Sequence, residues 1–367
     1  MKVNADITSA CYKGTGIGIF ELEIIKRLSK KDEISLLGCT NFQRGVSRKE
    51  VASFDFQTKY SIIPYKVVYN MNCPFTYESM MSKADVNFFA TYNLPLVKFK
   101  KPTIGTIHDL ILLKTKTESD EVIQHHKSIL KHTLEVSDSI LTVSEATKLD
   151  IAQYFDVAPE KITVVHNGVD YNAYRKEYTS QQKEMIRKKY NLPDKYFLYF
   201  GSLRKHKNVE RLIRAYALLS SEIRKEYKLV ITNANTEIKK LIELLDLQND
   251  VVSTGFVDEQ DKVLIYQLAF VSLFVSLYEG FGIPIIEAQA AGTPVITSNT
   301  SSMPEAAGGA ALLVDPYEIE QISCAMQQYV QNSDLYARKR EQGLLNAQTF
   351  SWDSAADKVL DVLKRYE

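Results

Sequence analysis

Short apolar segments alternate with longer amphipathic segments along the whole chain. The clearest apolar segments are "PTIGTIHD" (102–109), "SILTVS" (139–144), "YFLYFGS" (196–202) and "VSLFVSL" (271–277). Further segments of this kind lie at 33–39, 162–168, 228–233, 251–256 and 293–298. Strands that are apolar on both faces are typical of parallel sheets that helices cover on either side. The pattern therefore predicts an α/β fold built on parallel sheets.

The strands fall into two series, which predicts two doubly wound domains. A chain of 367 residues is long enough for two such domains. The polar segment 170–196 separates the two series, so we expect an N-terminal domain at 1–172 and a C-terminal domain at 173–350. Ligands of such sheets bind beyond the carboxyl ends of the strands. If the two domains face each other, the active site is the cleft between them.

Charge and cysteine content exclude several classes of protein. The chain has 45 basic and 45 acidic residues, so its net charge gives no reason to expect a nucleic acid partner. Its start lacks the apolar run of a signal peptide, and no window holds about 18 uninterrupted apolar residues. The four cysteines are scattered without the spacing of metal ligands. We expect a cytoplasmic protein with free thiols.

The segment "YKGTGIGIFELEIIKRL" places Gly14, Gly16 and Gly18 ahead of an amphipathic helix. Glycines at a helix N-terminus let backbone N–H groups approach a phosphate. A tight turn without a ligand explains the same glycines. The spacing differs from the dinucleotide-binding fingerprint, and the next strand lacks the acidic residue that would bind a nicotinamide cofactor's ribose.

Two further segments follow predicted strands. "TIHDL" ends a strand with His108, whose imidazole could bind a sugar hydroxyl or could be structural, while Asp109 could cap the next turn. "GSLRKHKN" groups Arg204, Lys205 and Lys207 before a helix. Cations are unfavourable at a helix N-terminus unless an anion such as a diphosphate binds there. A solvated charge run is the alternative.

The segment "SLYEGFGIPIIEAQAAGTPVI" carries two carboxylates, Glu279 and Glu287, on either side of a Gly-Phe-Gly turn. Pro284 suits the first turn of a helix and Gly292 suits its end. Both carboxylates can then line one pocket, where they could accept hydrogen bonds from the vicinal hydroxyls of a ribose or hexose. Just downstream, Ser302 and Glu305 predict a capping box.

In this order, the segments resemble the retaining glycosyltransferases of family 4, which have the GT-B fold and an E-x7-E motif. The chain resembles bacterial polysaccharide mannosyltransferases of this family, and the resemblance covers nearly the whole chain. It implies two Rossmann-like domains that face each other across a cleft, with a C-terminal helix at about 351–367 crossing back onto the N-terminal domain. The matching segments are 14–18, 108–110, 143–151, 164–170, 201–208, 279–296 and 350–356.

The resemblance implies a role for each matching position. Glu287 would bind the ribose hydroxyls of a nucleotide sugar. Glu279 would hold the transferred sugar, together with the backbone of Phe281, Gly282 and Ile283.

The same resemblance assigns the diphosphate and the base. Lys207 and Arg204 would neutralise the diphosphate, helped by the backbone at Gly16, Gly18 and Ser202. The base would stack near Phe256 and Val257, and His108 would lie near the reacting sugar and the acceptor.

The implied reaction transfers a hexose with retention of configuration from a nucleotide-diphosphate sugar, which is a substrate rather than a cofactor. The sequence contains no D-x-D motif, so we predict no obligatory metal. Mannose from GDP-mannose is the first expectation, with dTDP-rhamnose and UDP-sugars as alternatives. An NDP-sugar epimerase and an NAD-dependent oxidoreductase are the alternatives outside this reaction class.

The predicted acceptor is a saccharide or a lipid-linked saccharide. Lys98, Lys100 and Lys101, with the Lys- and His-containing helix near 125–132, could meet anionic lipid head groups at the inner face of the membrane. Solvated lysines explain the same pattern. A peripheral membrane contact is therefore an expectation, and the sequence does not predict an oligomeric state.

Overall fold

The computed structural model of the protein describes residues 1–11, 16–42, 51–64, 67 and 75–367. Gly14 and Cys73 lie outside these residues. The chain divides into two compact units. The first consists of Met1–Gly168 and Trp352–Glu367, and the second of Val169–Ser351.

The first unit contains a parallel sheet of seven strands among the described residues. The strands are β1 (Lys2–Asp6), β2 (Ser35–Phe42), β3 (Thr58–Pro64), β4 (Val86–Phe88), β5 (Thr103–Ile107), β6 (Ser139–Thr142) and β7 (Ile162–Val164). Their order across the sheet is β3-β2-β1-β4-β5-β6-β7, and every pairing is parallel. The strand order reverses between β1 and β4, and ligands of such sheets bind at this point.

The second unit contains a parallel sheet of six strands. The strands are β8 (Tyr196–Tyr199), β9 (Lys228–Ile231), β10 (Val251–Ser253), β11 (Val271–Phe274), β12 (Val295–Ser298) and β13 (Ala311–Val314). Their order is β10-β9-β8-β11-β12-β13, so the reversal falls between β8 and β11. The order matches that of the first sheet, which confirms the prediction of two Rossmann-like folds.

In the described part of the chain, helices lie in most connections between successive strands, although none lies between β4 and β5. They are α1 (Gly16–Leu28), α2 (Tyr77–Met80), α3 (Ile111–Thr115), α4 (Asp120–Val136), α5 (Glu145–Phe155), α6 (Tyr171–Tyr174), α7 (Ser180–Tyr190), α8 (Val209–Ala217), α9 (Ser221–Glu226), α10 (Thr236–Leu244), α11 (Lys262–Leu268), α12 (Ile283–Ala291), α13 (Met303–Ala307), α14 (Ile319–Gln331), α15 (Ser333–Gln348) and α16 (Trp352–Lys364). Short 3-10 helices lie at Ser9–Cys11, Pro159–Lys161, Lys205–Lys207 and Glu259–Asp261. In the described part of the chain, no helix is both long and apolar enough to cross a bilayer.

Helix α8 shows how the sequence pattern produces the core of the second unit. Its apolar residues recur at helical spacing, and Val209, Leu212, Ile213 and Tyr216 are buried against the sheet. Its polar face carries an ion pair between Glu210 and Arg214. Burying the apolar face drives this packing, because each large apolar side chain contributes about 1.5–3 kcal/mol when it leaves water.

Helix α16 belongs to the first unit although it follows the whole second unit in sequence. It packs on α1, where the rings of Trp352 and Phe20 meet edge to face with centroids 6.2 Å apart. Arg27 Nε lies 2.7 Å from Asp353 Oδ1 at the edge of this contact. The contact buries Trp352 to 5% exposure, so the last helix completes the core of the first unit.

Candidate functional site

Glu279 lies on the loop that joins β11 to α12 in the second unit. Helix α12 begins at Ile283, directly after Gly282, and Pro284 occupies its first turn. Gly282 has φ +109°, and a Cβ at this position would lie 2.9 Å from Ile285 Cδ1. The positive φ therefore favours glycine at the start of the helix, since a Cβ would be strained there and the Ile285 side chain would also have to move. The sharp turn keeps Glu279 at the carboxyl end of β11.

Hydroxyl groups from the segment after β12 fix this loop. Ser302 Oγ lies 2.9 Å from the carbonyl oxygens of both Glu279 and Phe281, and Ser301 Oγ lies 2.6 Å from the Glu279 carbonyl. The predicted capping box was wrong, because the Ser302 side chain makes no capping hydrogen bond to α13. It stabilises the Glu279 loop instead.

Glu279 forms a largely buried ion pair with Lys207. Lys207 Nζ lies 2.7 Å from Glu279 Oε1, and the two side chains are 17% and 9% exposed. Asn208 ends the 3-10 helix Lys205–Lys207 and has φ +61°. Its Nδ2 donates to the Val275 carbonyl at 3.0 Å. Leu277 N donates to the His206 carbonyl at 2.7 Å. The segment 201–208 is therefore bound to the Glu279 loop through its backbone as well as through Lys207.

The other predicted residues of this segment point outward. Ser202 and Arg204 are exposed, whereas His206 is buried. Burial lowers the pKa of His206; Glu279 opposes this effect, and Lys207 and Arg204 add to it. His206 is therefore neutral at neutral pH, and the positive charge of the segment resides on its lysines and Arg204. Exposed cations ahead of α8 are well placed to meet an anion.

Glu287 on α12 is engaged by side chains of α11. Lys262 Nζ lies 2.5 Å from Glu287 Oε1, and Tyr266 Oη lies 3.5 Å from Oε2. Glu287 and Lys262 are only 7% and 8% exposed. Burial and the negative charge of Glu287 raise the pKa of the Tyr266 and Tyr174 phenols, so both stay protonated. The sequence analysis missed Lys262, although Lys262 and Tyr266 share one face of a helix at i,i+4 spacing.

Phe256 and Val257 follow β10 on the loop that leads to α11. Phe256 is 77% exposed and Val257 is 8% exposed, so the phenyl ring is the side chain offered to a ligand. The loop is anchored to α7, because Tyr190 Oη donates to Asp261 Oδ2 at 2.8 Å and accepts from Asp258 N at 3.1 Å. A fixed loop that carries an exposed aromatic ring can stack against a planar base.

In the first unit, the described part of the glycine segment opens α1. The helix begins at Gly16, and Gly18 is buried within its first turn. Glu21 on the same helix is fully buried and accepts a hydrogen bond from Ala10 N. Burial, and next the charge of Asp6, raise the pKa of Glu21 well above its ordinary value. Glu21 fixes the segment that leads from β1 to the glycines, a role that the sequence analysis missed.

His108 follows β5 and is 6% exposed. Its Nε2 lies 2.8 Å from the Ala90 carbonyl oxygen, and its ring meets Phe20 edge to face. Burial lowers the pKa of His108 to about 4, against the opposing hydrogen bond to Ala90. A carbonyl oxygen can only accept, so Nε2 carries the proton of the neutral ring and Nδ1 is left as an acceptor. Asp109 Oδ1 accepts from Ile111 N at 2.9 Å, as expected of a residue that caps the next turn.

Two glycosyltransferase family models match this chain, one largely within each unit. The family "Glycosyltransferase Family 4" matches residues 16–173, and "Glycosyl transferases group 1" matches residues 181–345. The O-antigen chain mannosyltransferase B of Escherichia coli is 25% identical over 376 residues, which cover 96% of this chain and 97% of that protein. The serotype-specific mannosyltransferase WbdA of Escherichia coli is 25% identical over 283 residues, or 75% of this chain and 35% of WbdA.

The WbdA alignment spans about a third of that protein's length. Among solved structures, HepE of Anabaena in complex with UDP and glucose aligns over 99% of both chains with a TM-score of 0.75. The two sequences are 16% identical, so this likeness shows the fold alone.

The buried imidazole of His108 predicts a pH-dependent stability. The folded-state pKa of about 4 lies below the ordinary value of 6.5, so unfolding binds a proton between these two values. Its stabilising contribution is intact above pH 6.5 and is lost as the pH falls to about 4. His108→Gln keeps an N–H donor for Ala90 but does not titrate. From pH 7 to pH 4, wild type should lose up to about 3 kcal/mol more unfolding free energy than the variant.

Urea unfolding of both proteins at several pH values measures this difference, and the histidines that they share cancel. Parallel stability curves would show that His108 is not protonated on unfolding in this pH range.

Removing the Ser302 hydroxyl, which binds the Glu279 loop, should destabilise the protein. Ser302→Ala should lower the unfolding free energy by about 2 kcal/mol, because a buried carbonyl loses its donor. Ser253→Ala on β10 is the control, since Ser253 is exposed. Urea unfolding compares the two variants, and equal midpoints would mean that the Ser302 hydroxyl does not stabilise the loop.

Proposed function

Because the chain belongs to the family 4 glycosyltransferases and has the GT-B fold, we propose that it transfers a hexose from a nucleotide-diphosphate sugar to a saccharide or lipid-linked saccharide in surface polysaccharide synthesis. The observation that carries the proposal is a pair of buried carboxylates, Glu279 and Glu287, each held by a lysine. Glu279 follows the strand next to the point where the second sheet reverses its order. Ligands of doubly wound sheets bind at this point.

Within this proposal, the two carboxylates bind different parts of the donor. Glu287 accepts hydrogen bonds from the ribose hydroxyls. Glu279 and the backbone of Phe281, Gly282 and Ile283 bind the transferred sugar. The Ser301 and Ser302 hydroxyls support these assignments because they hold the loop in place before any ligand arrives.

The cations bind the diphosphate. Lys207 and the exposed Arg204 neutralise its charge, and the backbone N–H group of Ser202 donates to it. The negative charge that develops on the leaving phosphate is stabilised by cations that are already in position. Phe256 stacks on the base, and Val257 lines the buried side of the same loop.

The reaction retains the anomeric configuration. The bond between the anomeric carbon and the phosphate oxygen breaks while a bond from the acceptor oxygen forms on the same face of the sugar. The acceptor proton passes to an oxygen of the leaving diphosphate. His108 of the first unit accepts a hydrogen bond from a sugar hydroxyl through its Nδ1, which its neutral tautomer leaves as an acceptor. No step in this scheme requires a metal ion.

The similar proteins support a mannosyl donor, with GDP-mannose as the first choice. The mannosyltransferases of Escherichia coli named above match this chain at 25% identity. The HepE structure holds UDP, so a UDP-sugar is the alternative that a comparison supports. The dTDP-rhamnose donor stays a prediction from the sequence alone.

The experiment that tests this function begins with GDP, UDP, dTDP and NAD in a thermal-shift panel, each with EDTA and with Mg²⁺. A ligand that binds only the folded state raises the apparent melting temperature, and at equal concentration a tighter ligand raises it further. GDP should give the largest shift, and EDTA should not abolish it. GDP-mannose and an O-antigen-type saccharide acceptor should then yield an α-linked product from the α-linked donor. The one-bond C1–H1 coupling in an NMR spectrum reports the anomeric configuration of the product.

Glu287→Gln tests the site, because it keeps the shape of the side chain but removes its charge. It should weaken GDP binding by about tenfold or more. A rise in melting temperature with NAD alone would support the oxidoreductase. No rise with any of the four ligands would overturn the assignment of the donor site. An inverted product would overturn the retaining reaction.

We propose in addition that the first unit contacts anionic lipid at Lys98, Lys100 and Lys101, which are exposed. The Glu78 carboxylate accepts from the backbone N–H groups of Lys100 and Lys101 at 3.1 and 3.2 Å, so the segment is held against the unit while its side chains face outward. Near a membrane surface, each such lysine adds about 1 kcal/mol of attraction.

Cosedimentation with vesicles tests this contact. The protein should bind vesicles that contain phosphatidylglycerol and not pure phosphatidylcholine. Replacing the three lysines by glutamine should weaken binding by on the order of a hundredfold, and high salt should do the same. Equal binding of wild type and the triple variant would show that the lysines are only solvated.

A further inference from the structure

We propose that Lys262 is a positioning residue that holds the Glu287 carboxylate in the charged and oriented form that the donor's ribose diol requires. This inference rests on the proposed function, because it assumes that Glu287 binds the ribose. It adds a residue that neither the motif analysis nor the family resemblance assigns.

The first support is geometric. Lys262 begins α11 and directs its Nζ to Glu287 Oε1 at 2.5 Å, while Tyr266, one turn later, places its hydroxyl 3.5 Å from Oε2. Each oxygen of the carboxylate is therefore approached once from the same helix. A carboxylate has about four acceptor positions, two on each oxygen. Tyr174 of α6 also hydrogen-bonds this carboxylate, so three side chains fix its orientation.

The second support is the charge around Glu287. Among the residues that the structure describes, Lys262 is the cation within 4 Å of this carboxylate. Tyr266 on α11 and Tyr174 on α6 face the same group, but both phenols are neutral because burial and Glu287 raise their pKa. Arg340 on α15 contacts α12 at the Gly292 carbonyl, five residues further along. Charge compensation of Glu287 therefore depends on Lys262.

The surroundings of Lys262 also suit this role. Its Nζ lies 5.8 Å from the centre of the Phe200 ring and 3.3 Å from Glu259, whose side chain is 82% exposed. Burial lowers the pKa of Lys262, while Glu287 and then Glu259 raise it, and the net effect is a rise. The ammonium group therefore stays charged at neutral pH.

Without its cation, the buried Glu287 would take up a proton more readily. A carboxylate that is out of water and unpaired has a raised pKa. Once protonated, it becomes a donor at one oxygen and no longer offers the ribose two equivalent acceptors. Removing the positive charge of Lys262 should therefore make donor binding more sensitive to pH than it is in wild type.

The experiment measures kcat and the donor KM of wild type, Lys262→Met and Lys262→Arg between pH 5.5 and 8.5. For Lys262→Met, the donor KM should rise as the pH falls, by up to about tenfold per pH unit, because a proton competes with the donor for Glu287. Its kcat at saturating donor should change little. Lys262→Arg should restore the wild-type profile, since it keeps the charge. Lys262→Gln, which keeps a hydrogen-bond donor but not the charge, should resemble Lys262→Met.

Lys228→Met is the matched control. Lys228 forms a half-buried ion pair with Asp250 at 2.7 Å, at the start of β9, away from the residues assigned to the donor. It should lose stability and keep the wild-type pH profile of KM. The melting temperature of each variant shows whether it is folded, and Lys262→Gln and Lys262→Arg carry the test if Lys262→Met does not fold.

Glu287→Gln separates the two ways in which the inference can fail. If this variant binds the donor as well as wild type, the proposed role of Glu287 is wrong. If it binds weakly, but Lys262→Met and Lys262→Gln show the wild-type pH profile, the role of Glu287 stands and that of Lys262 is overturned.

Discussion

The second unit depends on the compensation of two buried carboxylates. Removing an ionised carboxylate from water costs several kcal/mol unless a cation and hydrogen bonds replace the water. Glu279 and Glu287 solve this problem with separate lysines, Lys207 from the segment after β8 and Lys262 from the start of α11. Each lysine comes from a different connection of the sheet. The packing of these connections against α12 therefore fixes the charges of the site as well as the shape of the core.

The loop between β11 and α12 has a second requirement, because its carbonyl groups turn away from any strand partner. Hydroxyl groups from the segment after β12 meet this need at Ser276, Leu277, Glu279 and Phe281. Hydrogen bonds between the connections of neighbouring strands thus hold the loop in place before a ligand binds. A rigid site reduces the entropy lost on binding.

Local patterns predicted the features that depend on local chemistry. The Val- and Ile-rich strands, the turn at Gly282 and the spacing of Glu279 and Glu287 could all be read from neighbouring residues. Strand β1 was missed because its Asn4 and Asp6 are polar, yet they are 0% and 1% exposed. Asn4 donates to the Ser82 carbonyl, 78 residues away. Ser302 and Lys262 were misread or missed for the same reason, since their partners are distant in sequence.

The first unit is discontinuous in the chain, which affects how it is made. Trp352 and the rest of α16 leave the ribosome after the whole of the second unit. Until then, the face of α1 that receives Trp352 lacks this part of its cover. The second unit, which is continuous, can fold before α16 has been made, whereas the first must wait for α16 to close its core. The face of α1 that packs on α16 is therefore exposed in the nascent chain until α16 has been made.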